Sequence, residues 1–165
     1  MSHSRRLVYI LVVLSAAGLV YWFFKEADPE TEVRSTFDEL VDWVEEGAGR
    51  QSLPLALHAR DLDRFFTAGA RVQVIPGRPP SVGRDEIRAM AMAGLAAVES
   101  IRIDRTWQDF SLWPSGREAT MEVRVRVRAE WARGQGHPGD GVLAIRWVKE
   151  DRNWKIDTAE LTARS

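Results

Sequence analysis

Residues 101–131, IRIDRTWQDFSLWPSGREATMEVRVRVRAEW, decide the fold of this 165-residue chain. Apolar and polar side chains alternate along much of this stretch, most clearly from Met121 to Arg128. A period of two is typical of β-strands with one buried face. The pattern therefore predicts two long neighbouring strands, 101–112 and 118–131, joined by a short connection.

The rest of the chain predicts two more strands after this pair and three helices before it. The strands are expected at 142–149 and 153–162. The spacing of apolar residues predicts three helices: the first over about 29–46, the second from 52–54 to 66, and the third from the end of the turn at 76–83 to Val98. A short extended segment, 71–75, precedes that turn. Helices followed by antiparallel strands with short connections indicate an α+β domain, with three helices on the concave face of a curved, mainly antiparallel sheet.

The N-terminal 25 residues differ in character from this domain. Leu7–Phe24 holds 18 residues without a charge, and a helix of that length is roughly 27 Å long, close to the hydrocarbon thickness of a bilayer. Arg5 and Arg6 precede the segment and Lys25 follows it, so the positive-inside rule keeps the N-terminus in the cytoplasm. We therefore expect a single-pass protein of the inner or plasma membrane, with a cytoplasmic stub at 1–6, a transmembrane helix at 7–24, a linker at 25–29, and a periplasmic or extracellular domain at 30–163.

A cleaved signal peptide is the alternative interpretation of this segment. Ser15-Ala16-Ala17 provides the small residues of a cleavage site, in which case residues 1–17 would be removed. A buried core helix is a third interpretation, which the apolar character on every side of the helix disfavours.

Composition excludes several kinds of site. The chain has no cysteine, which excludes disulfides, cysteine-based metal sites, a thiol nucleophile and a lipoprotein anchor. The formal net charge is −1, and because Arg5, Arg6 and Lys25 are the only charges in the first 25 residues, the domain itself is mildly acidic. We therefore expect no nucleic-acid binding. No histidine pair has ligand spacing and no glycine-rich loop opens a helix, so neither a metal nor another cofactor is predicted.

Two local motifs resemble those of a known family. Residues 76–87, PGRPPSVGRDEI, are similar to the proline-rich turn and the Gly-Arg-Glu-x-Ile helix start of the nuclear transport factor 2-like superfamily, and residues 153–156, NWKI, resemble its last strand. The superfamily includes ketosteroid isomerases and SnoaL-like polyketide cyclases. The resemblance covers about residues 30–162 and implies a cone with an apolar pocket, used for catalysis, for ligand binding or as a filled core.

The resemblance also indicates which chemistry is missing. At the positions that match the ketosteroid isomerase base and oxyanion tyrosine, this chain has Val74 and Phe37, and residues 142–145 at the third position are apolar. None of these side chains can transfer a proton, so the resemblance implies a fold without steroid-isomerase chemistry.

Five residues are predicted to line the pocket of the cone: Phe37, Val74, Trp107, Trp131 and Trp147. Aromatic side chains that face inward would form its apolar wall. The alternative is that the same side chains simply form the core of a small α+β domain.

Four titratable residues are the candidates for acid or base catalysis. His58 lies three residues before Asp61 on the second predicted helix, which allows the two side chains to interact. Asp109 and Asp157 lie on predicted strands and would face the pocket only in one register. A surface histidine with a local charge partner is the alternative for His58.

Arg124, Arg126 and Arg128 share one strand face and form the sharpest polar feature of the domain. A stripe of guanidinium groups could bind an acidic partner or an anionic ligand. The alternative is a solvated outer face, with the arginines paired to Glu122, Asp104 and Glu130 on neighbouring positions.

Together these features predict a membrane-anchored, noncatalytic binding or assembly domain outside the cytoplasm. Its expected partners are the bilayer through residues 7–24 and a protein, or a second copy of the chain, through the sheet face. The alternative is a polyketide cyclase- or dehydratase-like enzyme, or a carrier, acting on an apolar small molecule in the cone.

Overall fold

A computed structural model describes residues 27–50, 52–131, 134 and 139–163 of the chain. Three α-helices come first in the sequence: α1 (Pro29–Gly47), α2 (Ser52–Ala59) and α3 (Arg84–Ala96). A 3-10 helix, Arg60–Phe65, directly continues α2. The six strands are β1 (Phe66–Gln73), β2 (Ser81–Val82), β3 (Val98–Leu112), β4 (Glu118–Trp131), β5 (Gly139–Glu150) and β6 (Asn153–Ala163).

One curved, mixed sheet contains all six strands, in the order β2-β1-β6-β5-β4-β3. Neighbouring strands are antiparallel except β1 and β6, which are parallel and pair Phe66 with Ile156. The three helices pack on the concave face of this sheet, so the domain has the expected α+β architecture.

The alternation in β4 separates the two faces of the sheet. Met121, Val123 and Val125 are buried on the inner, concave face, and the arginines between and after them are on the outer face. Burial of apolar surface on one side only is what a period of two produces. The inner face and the helices together enclose the core of the domain.

Local chemistry starts and positions α1. The Asp28 carboxylate accepts a hydrogen bond from the Thr31 backbone N–H at 3.3 Å, and Pro29 occupies the first turn. Further along, the Arg105 guanidinium donates to the Asp38 carboxylate at 2.5 Å. These contacts place α1 across the inner side of β3, with its apolar stripe facing the core.

The three helices, the short strand and the four long strands are confirmed in their order, but the sheet has a sixth strand, β2, at Ser81–Val82 within the predicted turn. Three boundaries also differ from those expected. The second helix is α-helical only to Ala59 and continues as a 3-10 helix, whose period of three differs from that of an α-helix. The short strand occupies Phe66–Gln73 and therefore begins five residues earlier than the expected segment, 71–75. The sequence pattern misplaced it because buried and exposed residues do not alternate along this strand. Val98, which was expected at the end of the third helix, is the first residue of β3, because α3 ends at Ala96. The parallel pairing of β1 with β6 was not predicted.

The predicted transmembrane helix, 7–24, lies outside the described residues. Among the helices of the described ranges, none has both the length and the apolar character needed to cross a membrane. The interpretation of the N-terminal segment therefore stays a prediction.

The turn between β5 and β6 stores backbone strain. Asp151 and Arg152 have φ angles of 48° and 69°, the left-handed region that asparagine and glycine favour in two-residue hairpins. We expect Arg152→Gly to raise the free energy of unfolding by about 0.5–1 kcal/mol, since glycine adopts this conformation without a steric penalty. Chemical denaturation measures the change.

The matched control lies in the neighbouring turn, where Gly116 has a φ of 67° and no atom beyond its two chain neighbours lies within 4 Å of the position that a Cβ would occupy. Gly116→Ala should therefore lower stability by about 1 kcal/mol through φ alone. If Arg152→Gly and Gly116→Ala changed the free energy of unfolding by the same amount in the same direction, the assignment of backbone strain to Arg152 would be wrong.

Candidate functional site

Aromatic side chains fill the inside of the cone. The rings of Phe37 and Trp107 meet edge to face with centroids 5.5 Å apart. Trp147 projects from β5 into the same core and is 0% exposed, flanked on the neighbouring strands by Ala119 and Ile156. Three of the five residues predicted to line a pocket therefore lie on the inner wall, where they form packed core.

The other two predicted pocket residues lie away from this cluster of rings. Val74 follows β1 and packs, half-buried, against the edge of the core. Trp131 is 47% exposed at the end of β4. The structure does not bring these two side chains together with Phe37, Trp107 and Trp147.

His58 is bound to Trp43 through a reciprocal contact. The His58 Nε2 lies 2.7 Å from the Trp43 carbonyl oxygen, and the Trp43 indole N–H donates to the His58 carbonyl oxygen at 3.0 Å. Because a carbonyl only accepts, Nε2 carries a proton in this contact. The two rings also stack, with centroids 4.6 Å apart and planes 4° apart. His58 therefore joins α1 to α2, and Asp61 is exposed.

Asp109 and Asp157 both lie on the outer face of the sheet. Asp109 pairs across strands with Glu122, which alternates with the buried Met121 and Val123. The Asp157 carboxylate accepts a hydrogen bond from the Thr67 hydroxyl at 3.1 Å. From this side of the sheet, neither carboxylate reaches the inside of the cone.

The outer face contains a groove of about 540 Å³. Its floor includes Ala144, whose small side chain leaves space between β4 and β6. Three carboxylates form a row across this floor: Asp109 pairs with Glu122, and Ala144 lies between Glu122 and Glu160. We call these three residues the acidic row. None of the ion pairs found among the described residues involves these three.

The predicted arginine stripe borders this acidic row. The Arg128 guanidinium lies 2.6 Å from the Asp104 carboxylate, and Arg124 and Arg126 lie 3.8 and 3.5 Å from the Asp140 carboxylate. Asp104 is one of the partners expected from the sequence, whereas Asp140 is an additional partner that the sequence analysis does not predict. Arg126 and Arg128 are exposed and Arg124 is half-buried, and all three are partly neutralised by carboxylates of the same sheet.

Arg146 lies on the other side of the acidic row. Its guanidinium lies 2.7 Å from the Glu118 carboxylate and 3.7 Å from that of Asp157. The hydrogen bond to Glu118 and the negative charge of that carboxylate raise the pKa of Arg146 above its ordinary value. Arg146 is therefore a permanent cation at the edge of the outer groove.

The acidic row was missed from the sequence because its members are far apart along the chain. The alternation in β4 predicted that Glu122 points outward, but only the strand register brings Asp109 and Glu160 into the same row. The signal in the sequence is an acidic residue on each of β3, β4 and β6, and only the strand register shows that the three lie on one face.

The motif at residues 83–87 has a structural role. Gly83 has φ 84° and ψ 160°, a conformation essentially restricted to glycine. The Arg84 guanidinium donates two hydrogen bonds to the Phe66 carbonyl oxygen, at 3.0 and 2.8 Å, and the Glu86 carboxylate accepts from the Val82 N–H at 2.7 Å. Ile87 is buried in the core. These contacts join α3 to β1 and β2.

This combination of three helices, a proline-rich turn and a curved six-stranded sheet decides the fold. The described domain has the nuclear transport factor 2-like fold. A nuclear transport factor 2-like superfamily protein from Salmonella enterica matches with a TM-score of 0.64 at 12% identity, over 82% of this chain and 90% of that one. A candidate scytalone dehydratase from Novosphingobium aromaticivorans gives 0.67 at 15% identity, over 82% and 84%.

A type 2 hexachlorocyclohexane dehydrochlorinase gives a TM-score of 0.62 at 14% identity, over 82% of this chain and 85% of that one. No sequence model of a protein family matches the chain, and no curated protein matches it either. At these identities, the similarity to nuclear transport factor 2-like structures concerns the fold, which hosts enzymes as well as proteins of unknown function.

Within the described ranges, no group of three or more histidine, aspartate or glutamate side chains is arranged to hold a metal ion.

A second groove, of about 640 Å³, lies between the start of α1 and the β5–β6 turn, and Ala27, Glu32 and Arg152 are among its lining residues.

Proposed function

We propose that the chain is a membrane-anchored binding or assembly protein, whose nuclear transport factor 2-like domain is noncatalytic and uses the outer face of its sheet. One observation carries this proposal: buried apolar side chains, the Trp147 ring among them, occupy the inside of the cone, while the two candidate strand carboxylates, Asp109 and Asp157, face outward. Trp147 is fully buried there, whereas Asp109 and Glu122 line the outer groove. A domain built in this way is suited to recognition at its surface.

The inside of the cone offers little for acid or base catalysis. A general base must lie within hydrogen-bond reach of the proton that it removes. His58 is engaged by Trp43, and the two strand carboxylates, Asp109 and Asp157, lie on the other side of the sheet. This placement supports a domain that binds without turnover.

The acidic row, Asp109, Glu122 and Glu160, favours contact with a positively charged side chain of a partner, in a groove that Arg71 and Arg146 also line. Asp109 and Glu122 are directly opposite each other, and like charges in that position are destabilising. A lysine or arginine side chain lying over Ala144 would relieve the repulsion. Such side chains can come from another protein or from the arginine stripe, Arg124, Arg126 and Arg128, of a second copy of this chain.

Residues 7–24 supply the proposed anchor, with the domain on the periplasmic or extracellular side. A reporter enzyme fused after Ser165 tests this topology. We expect activity of a reporter that works only outside the cytoplasm. Activity of a cytoplasm-specific reporter would overturn the localisation.

Site-specific crosslinking tests the proposed surface. A photo-crosslinking residue in place of Thr120, in the outer groove, should give one discrete crosslinked product in the full-length protein. The double variant Glu122→Lys with Glu160→Lys should abolish that product, because it reverses the charge of the acidic row. The control variant Glu99→Lys alters an exposed carboxylate elsewhere and should leave the product unchanged. Mass spectrometry of the crosslinked product then distinguishes a second copy of this chain from another protein.

An enzyme or carrier for an apolar small molecule is the second candidate. It is favoured by the shared fold of the dehydrochlorinase and the candidate dehydratase. A full-length protein that forms no crosslink and instead co-purifies with a small molecule, detected by native mass spectrometry, would replace the first proposal by this one.

A further inference from the structure

The beginning of the described domain lies at one end of the sheet. Glu32, in the first turns of α1, accepts hydrogen bonds from the Lys149 ammonium at 3.2 Å and from the Trp154 indole N–H at 2.8 Å. Lys149 and Trp154 are paired residues beside the β5–β6 turn. The first described residues therefore lie next to this turn, and Ala27 and Arg152 line the same groove.

The β3–β4 turn, residues 113–117, lies at the same end. The Lys149 backbone N–H donates to the Arg117 carbonyl oxygen at 2.8 Å. The Trp113 N–H closes the turn by donating to the Glu118 carbonyl oxygen at 2.9 Å. A continuous path of contacts thus connects Trp113, through Lys149 and Glu32, with the first residues of α1.

This end exposes apolar and cationic side chains side by side. Trp113 is 44% exposed and Leu112 is 41% exposed. The Arg146 guanidinium lies 5.4 Å from the centre of the Trp113 ring. Arg117 and Arg152 are exposed at the two turns, and no ion pair among the described residues involves them. Tryptophan is enriched at both membrane–water interfaces, where its amphipathic ring lies at the level of the headgroups.

Chain length places this end close to the proposed bilayer. Ala27 comes three positions after Phe24, the end of the predicted transmembrane helix. An extended chain spans at most about 3.6 Å per residue, so the gap is about 11 Å or less. We infer that the β3–β4 turn rests on the membrane surface, with Trp113 among the lipid headgroups and with Arg117 and Arg152 at lipid phosphates. This inference rests on the membrane anchor of the proposed function.

The nearby charges are compatible with such contact. Glu118 is paired with Arg146 at 2.7 Å, and Glu150 with Lys155 at 3.3 Å. Both carboxylates are therefore neutralised within the domain, whereas Asp151 is exposed beside Arg152 and forms none of the ion pairs found among the described residues, so contact with lipid phosphates relies chiefly on Arg117. The exposed indole then contributes the apolar part of the contact, as amphipathic rings do at an interface.

Trp131 provides a matched control. It is 47% exposed, close to the exposure of Trp113, but lies at the opposite end of β4 from the β3–β4 turn. A strand of this length spans roughly 45 Å. Its side chain should therefore remain in water when the turn lies on the bilayer.

The absence of native cysteines allows single-site labelling. Full-length Trp113→Cys and Trp131→Cys, each labelled with an environment-sensitive fluorophore, are reconstituted in vesicles of phosphatidylcholine and phosphatidylglycerol that contain brominated lipid. We expect blue-shifted emission and loss of most fluorescence for the label at 113, and unchanged, water-like emission at 131. Ser115→Cys, also exposed in the turn, repeats the measurement without removing an aromatic ring.

Flotation of the same vesicles separates the two hypotheses. A chain that does not float with the vesicles overturns the membrane anchor and this inference with it. A chain that floats, but whose labels at 113 and 115 emit as the label at 131 does, overturns the inference and leaves the anchor standing.

Discussion

Trp147→Ala is expected to lower the free energy of unfolding by about 3–5 kcal/mol, the usual cost of removing a fully buried large aromatic side chain. Trp147 is 0% exposed at the centre of the inner sheet face, where Ala119 and Ile156 flank it on the neighbouring strands. Domains of this size are stable by only about 5–15 kcal/mol. Urea denaturation of the full-length protein, followed by near-ultraviolet circular dichroism, measures the loss.

Trp147→Phe is the control for this substitution. The Trp147 indole N–H is buried and has no hydrogen-bond partner among the described residues. Phenylalanine keeps most of the ring volume and removes that unpaired donor, so the two effects partly offset each other. We expect a loss below about 2 kcal/mol. A Trp147→Ala variant as stable as the parent would mean that the inside of the cone is open, which would favour the small-molecule alternative.

His58→Ala is expected to cost about 2–4 kcal/mol, because it removes a stacked ring and leaves the Trp43 carbonyl without its donor. Packing around the pair is tight: a Cβ atom on Gly47 would lie 2.8 Å from the Leu95 side chain and 3.0 Å from the His58 ring. A double-mutant cycle with Trp43→Phe should give a coupling energy of about 1 kcal/mol.

Asp61→Asn tests whether the structural role of His58 also depends on Asp61. Asp61 is exposed three residues after His58, so the substitution should change stability by less than about 0.5 kcal/mol. If Asp61→Asn were as destabilising as His58→Ala, the two side chains would act as a pair, in disagreement with the contacts of His58.

Elements with strong periodicity could be predicted well from the sequence. The bounds expected for β4, 118–131, are those of the structure, because Met121, Val123 and Val125 alternate with arginines. β1 was misplaced because its residues do not alternate: Phe66 and Thr67 are neighbours and both are buried. A strand between a parallel and an antiparallel partner is buried by tertiary contacts that the local pattern does not encode.

The direction of the two strand carboxylates required the structure. The pairing of β3 with β4 shifts between Trp107 and Asp109, and the pairing of β5 with β6 shifts beside Asp157. A β-bulge inserts one residue and reverses the alternation beyond it. The sequence could identify Asp109 and Asp157 as polar residues on strands, but not the face on which each would lie.

The order of the strands has a consequence for biogenesis. β6, the last strand in sequence, lies between β1 and β5 and pairs Phe66 with Ile156. The sheet therefore stays in two parts until residues 153–163 have left the ribosome. Closing so long a loop makes folding slow. Completion of the sheet is therefore the last step that the order of the chain permits, and a chain that ended before Asn153 would lack the strand that joins β1 to β5.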